Sequence, residues 1–133
     1  SFAFEAAMSE AWDEVSRQHL SGKKALTYLA FTSLDGDLYG SSSKEFKVTN
    51  ALIKETKNRP APPSVVFMDQ KYITIQQSED HWVGKSEQKA LFVYQCKTMM
   101  VVGMTENSGK NDLCRQGNTE VSDIWKQYVS QGY

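Results

Sequence analysis

The residues that could do chemistry in this 133-residue chain are few and scattered. His19, His81, Cys96 and Cys114 share no metal-ligand spacing, and the cysteines form no CxxC pair. They make neither a zinc site nor a disulfide framework, and the cysteines read as reduced thiols. The chain has no Gly-rich phosphate loop, GxSxG, HExxH or nucleophile with a paired base, so no catalytic residue, metal or cofactor is expected. Aromatic surface, by contrast, is concentrated at both ends: Trp12 in the first helical segment, then Trp125, Tyr128 and Tyr133 in the last. Such rings offer flat apolar faces with N–H or O–H groups at their edges. If the two ends meet across a sheet, they form a platform that binds rather than reacts.

The elements that must position these rings follow from periodicity. After Ser9, read as an N-cap, Trp12, Val15, His19 and Leu20 fall on one helical face that stops near Gly22. Residues 25–33 (ALTYLAFTS) predict a strand, and Asp35-Gly36 a hairpin turn into Leu38-Tyr39-Gly40. Thr49 caps a short helix through Ala51, Leu52, Ile53 and Thr56, which the prolines at 60, 62 and 63 terminate. A β-rich stretch follows. Residues 64–68 and 72–75 flank a turn at Asp69-Gln70-Lys71, and 81–83 form a short strand. Residues 90–96 pair across Lys97 with 98–104, where Val101-Val102 marks a strand covered on both faces and Met99, Met100 and Met104 fill the core. The last helix carries Val121, Ile124, Trp125, Tyr128 and Val129 on one face, with Glu120 and Asp123 favouring its start, and ends at Gly132.

Connections this short require antiparallel pairing. The fold class is therefore α/β (α+β): a central antiparallel sheet with both terminal helices on one face and the short helix on the other. At this length, with 40% hydrophobic residues, one domain over residues 8–133 is expected; residues 1–7 are either a tag remnant or an N-terminal extension. Fifteen basic against sixteen acidic residues leave no global field to recruit nucleic acid or an anionic membrane. With no membrane-length apolar run and no basic flank before the opening segment, a cytoplasmic monomer is expected.

The order of motifs over residues 9–133 resembles the profilin family. Trp12-Asp13-Glu14-Val15 with His19-Leu20 is similar to the family's opening tryptophan helix, and Asp35-Gly36 with Leu38-Tyr39 to its D-G-x-V-W hairpin. Phe46-Lys47 leads into the short helix as in many members. Lys71-Tyr72-Ile73-Thr74-Ile75-Gln76 resembles the K-Y-x-V-I-x strand, residues 97–103 the segment before the last helix, and Val129-Ser130-Gln131-Gly132-Tyr133 the family's closing tail.

The resemblance implies a non-enzymatic, cytoskeleton-associated protein that binds monomeric actin. It also implies a second site for proline-rich peptides or proteins and, in many members, affinity for phosphoinositides. By position it assigns actin contacts to Lys71, Ile73, Ile75, Gln76, Glu87 and Lys89. By region only, because of an insertion of about four residues before the last helix, it assigns Lys110, Asn111, Arg115 and Asn118. For polyproline it assigns Trp12, Tyr39, Tyr128 and Tyr133. Val15 stands where the family's first helix carries tyrosine and Gln127 where a His or Tyr is common, so a weakened or altered proline site is expected. Tyr128 is one residue off that position, about 100 degrees around the helix, which would turn it toward the core. Lys23, Lys24, Lys54, Lys57 and Arg59 are the local cations that could meet a phosphoinositide headgroup. The rival reading is a PAS, roadblock or longin type of adaptor, which does not usually set its first and last helices side by side with exposed aromatics.

Overall fold

The computed structural model describes residues 2–106 and 113–133, with side chains from residue 10 onward. The elements run α1 (Phe2–Leu20), β1 (Tyr28–Ser33), β2 (Leu38–Ser41), α2 (Asn50–Lys57), β3 (Ser64–Phe67), β4 (Gln70–Gln77), β5 (His81–Ser86), β6 (Lys89–Gln95), β7 (Met99–Thr105) and α3 (Leu113–Ser130). The strands form one antiparallel sheet of seven, ordered β2-β1-β7-β6-β5-β4-β3, so β3 to β7 are a simple meander and β1 joins beside β7. Every residue of β7 is buried, as the Val101-Val102 run anticipates.

Side chains alternate between two cores, as the pleat requires. On one face Leu52 and Ile53 of α2 pack with Phe46, Tyr72, Trp82, Leu91 and Val102. On the other, α1 lies over β1 and β2 and α3 over β6 and β7, burying Phe31, Phe92, Val101, Val121 and Ile124. Neither terminal helix covers β3 or β4, where Val66, Ile73 and Ile75 stay exposed.

Two close approaches set the helix positions. At Gly40 a Cβ would sit 2.5 Å from the Trp12 carbonyl carbon, and at Gly117 it would sit 2.2 Å from Thr105 Oγ1. A bare backbone at each point lets α1 settle on β2 and α3 on β7.

Strands β4 and β5 run longer than the sequence reading and β1 starts later, at Tyr28, and three further differences bear on packing. Ser9 lies inside α1, because Ala3, Glu5, Ala6 and Ala7 are helix formers that carry the helix back to Phe2. The β3–β4 turn is at Met68 and Asp69, with φ of 51° and 61°, pairing Phe67 with Gln70; that geometry suits a two-residue hairpin turn. Glu120 does not start the last helix, which begins at Leu113. Its carboxylate instead accepts from the backbone N–H groups of Lys24, Ala25 and Leu26 at 2.9, 3.0 and 2.9 Å. The Thr49 cap is as read: its hydroxyl accepts from Leu52 N–H at 3.2 Å.

Candidate functional site

The aromatic residues of the two ends meet. Trp12 lies 5.0 Å from Phe31, 6.1 Å from Tyr39, 6.0 Å from Tyr128 and 6.0 Å from Tyr133, centroid to centroid. The contact needs the sheet, since Tyr39 comes from β2 while Tyr128 and Tyr133 come from α3 and the residues after it. Tyr133 is tied down by its backbone oxygen, which accepts from the N–H and hydroxyl of Thr98. Trp12 and Tyr39 are half-buried and Tyr133 is 39% exposed, but Tyr128 is only 7% exposed.

Tyr128 therefore backs the cluster from the core side instead of offering a face. Its hydroxyl is 2.7 Å from His19 Nε2, and burial together with Tyr133 pushes the phenol pKa up. Burial and the Lys23 charge push His19 down from its ordinary value, which favours the neutral ring. Trp12 Nε1 and the hydroxyls of Tyr39 and Tyr133 make no hydrogen bond among the described residues. These three donors stand on half-open rings.

A second surface lies on the same side of the sheet, past the edge of α3. Tyr72 points into the α2 core, so Lys71 and Ile73 point the other way, beside Val66 on β3 and Lys85 on β5. Between Thr74 and Gln76 the register slips: Thr74 pairs with Gly84 and Gln76 with Val83, leaving Ile75 as an extra residue. This bulge brings Ile75 and Gln76 to the rim of one cavity of about 280 Å³, whose other walls include Lys85, Arg115 and Asn118. Ile73 and Ile75 are 57% and 53% exposed. Two bare isoleucines ringed by Lys71, Lys85 and Arg115 are apolar contact area inside a basic rim.

The chain matches the family model described as Profilin over residues 10–132. It belongs to the profilin family. No curated protein matches it in sequence, whereas solved profilins match in structure. Profilin IB of Acanthamoeba castellanii is similar at a TM-score of 0.77 with 20% identity, over 92% of this chain and 99% of that one. LokiProfilin1, in its complex with rabbit actin, is similar at 0.65 with 14% identity, over 90% and 98%. Mouse profilin IIa, in complex with a double repeat from the FH1 domain of mDia1, is similar at 0.64 with 14% identity, over 92% and 99%. The adaptor reading falls with the family match.

In this profilin the structure gathers Lys71, Ile73, Ile75, Gln76, Arg115 and Asn118 on one surface. Glu87 sits at the exposed β5–β6 turn with φ of 40°. Lys89, in step with Leu91 along β6, belongs by alternation to the α2 face and does not join the others. Lys110 and Asn111 lie outside the described residues. Sequence reasoning missed Lys85 and Val66. Reading β5 on to Ser86 would have put Lys85 two residues past Val83 on the same face.

The candidate headgroup cations do not form one patch. Lys24 lies in the α1–β1 loop held by α3, whereas Lys54 and Lys57 are on α2 across the sheet. Arg59 is committed to the carbonyls of Thr56, Asn58, Ser78 and His81. Both cysteines are buried thiols, with Cys96 pushed up to about 11 by burial, and no helix among the described residues is long and apolar enough to cross a membrane.

Proposed function

We propose that this profilin binds monomeric actin through the uncovered β3–β4–β5 surface and the start of α3. The observation that carries the reading is the pair of exposed isoleucines at 73 and 75, beside the bulge, inside a rim of Lys71, Lys85 and Arg115. Apolar area supplies the affinity of such a face, and a basic rim steers an acidic partner onto it. The actin complex of LokiProfilin1, a protein of the same fold, supports the choice of partner.

The test is binding to monomeric actin by wild type, by Lys71→Glu with Ile75→Asp, and by Lys89→Glu as a control on the opposite face. Placing a carboxylate at a central apolar contact should cost about 2–4 kcal/mol, roughly 30- to 1000-fold in Kd. The control should stay within about threefold. A double variant that binds like wild type, or a folded wild type that binds none of several actins, defeats the proposal.

A second reading has its own observation: Trp12, Tyr39 and Tyr133 present half-open rings with three hydrogen-bond donors that the described residues leave unused. A polyproline II strand carries proline rings and unpaired carbonyls, which suit that groove. The FH1 repeat bound to mouse profilin IIa is consistent with this. A proline-rich peptide should shift the intrinsic fluorescence of wild type but not of Trp12→Phe. No change at millimolar peptide in a folded sample counts against it.

A further inference from the structure

Next to the isoleucine surface lies a second cavity, of about 380 Å³, between the β4–β5 turn and the outer side of α3. Gln76 and Asn118 line both cavities, so this one borders the actin surface proposed above. Its wall holds a stacked pair. His81 and Tyr94 are cross-strand neighbours on β5 and β6, with centroids 5.0 Å apart and planes 20° from parallel. The Tyr94 hydroxyl donates to Asn118 Oδ1 at 2.5 Å. A relay thus runs from His81 through Tyr94 to a residue of the binding face.

The imidazole is held from one side only. Nδ1 is 2.5 Å from Ser78 Oγ, whereas Nε2 is buried and meets no hydrogen-bond partner among the described residues. A neutral ring that donates from Nδ1 to Ser78 leaves Nε2 as a bare lone pair, a modest cost. Protonation places an N–H and a share of positive charge where no acceptor waits, a far larger one. The ring can escape that cost only by turning out to water, which breaks its stack on Tyr94.

We propose that His81 is a positioning residue of the actin face: in its neutral form it holds Tyr94, and through Tyr94 the Asn118 side chain, in the binding arrangement, and proton uptake releases both. The proposal takes its partner from the actin reading above. The charges around the ring set the direction. Burial lowers its pKa from 6.5, the Arg59 guanidinium from the α2–β3 connection lowers it further, and Asp80 in the same turn opposes them. From α3, Asp123 and Lys126 line the same cavity with opposite signs. A folded-state pKa below 6.5 means the neutral form prevails at neutral pH, and the arrangement is lost as pH falls through that lower value.

The test starts with NMR of the free protein, where the two histidines are told apart by the signal that disappears in His81→Phe. The His81 ring should titrate with a midpoint below 6.5, and the Asn118 side-chain amide should move with the same midpoint. In His81→Phe, which keeps a flat ring but has no proton to gain, that amide should hold still. Ser78→Ala, at an exposed position, removes the Nδ1 partner and should move both midpoints together. Actin affinity should then fall about fivefold or more from pH 7.5 to 5.5 in wild type and by less than about twofold in His81→Phe. A midpoint at or above 6.5, an Asn118 amide that ignores His81, or the same pH loss of affinity in His81→Phe overturns the proposal. If Asn118 follows His81 but no actin binds at any pH, the relay stands and the choice of partner falls.

Discussion

Glu120→Ala tests the joint that ties the last helix to the loop leading into the first strand. The carboxylate accepts three backbone N–H groups, and two of the donors, Ala25 and Leu26, are buried while Lys24 is exposed. With the carboxylate gone, water can replace it at Lys24 but not readily at the other two. A hydrogen bond to a charged group is worth about 1.5–3 kcal/mol, so two uncompensated losses come to about 3–6 kcal/mol. Unfolding entropy of about 2.1 cal/mol/K per residue over this length converts that into a Tm lower by about 11–21 °C. Domains of this size have about 5–15 kcal/mol in hand, so a parent in the middle of that range leaves the variant folded. The assay is urea denaturation followed by tryptophan fluorescence, with thermal melting by circular dichroism beside it. Glu14→Ala is the comparison, since it breaks only exposed contacts, the Arg17–Glu14 pair at 2.9 Å and a bond from Gln18 at 3.5 Å, and should cost under about 0.5 kcal/mol. Glu120→Gln keeps one acceptor oxygen but turns an amide NH₂ toward a donor, and should fall between them. If Glu120→Ala costs no more than Glu14→Ala, the joint is not what holds α3 to β1, and the reasoning is wrong.

Two further predictions concern packing and pH. In Gly117→Ala the new Cβ would meet Thr105 Oγ1 at 2.2 Å and the Phe92 ring at 3.1 Å, so α3 must lift; a loss of about 1–3 kcal/mol in urea denaturation is expected, and a gain would show the helix is free to shift. The Tyr72 phenol is pushed up to about 12 by burial and, less, by Glu106, so the fold holds its proton more tightly than the unfolded chain does. Stability should fall as pH rises above about 10, by about 2 kcal/mol near pH 12, and Tyr72→Phe should flatten that limb; an unchanged alkaline profile would refute it.

Much of this was legible before any coordinates. The amphipathic periods of α1 and α3, the Asp35-Gly36 hairpin, the Thr49 cap and the apolar β7 are local patterns, and each has a local physical cause. Profilin membership was legible too, because it lies in the order of such patterns. Turn position was less so. With Met68 and Asp69 both at positive φ, neither residue announces the turn as glycine would, and the hairpin has no Asn-Gly or Asp-Gly signal.

The sequence by itself determined which residues are apolar, where the helices and strands recur, and that no catalytic or metal-binding set is spelled out along the chain. Only the tertiary structure decided how those residues meet. Tyr128 reads as a groove ring by resemblance and as a core-facing one by its turn around the helix, and packing against His19 decides for the core. Lys71 and Lys89 read as contacts on one surface, yet pleat alternation and sheet register send them to opposite faces. Glu120 reads as a helix-start charge, yet it serves a loop almost a hundred residues away in sequence. The physical reason is common to all three: periodicity gives a residue's direction within its own element, while its partner depends on register, bulges and helix approach, which form only when distant segments pack together.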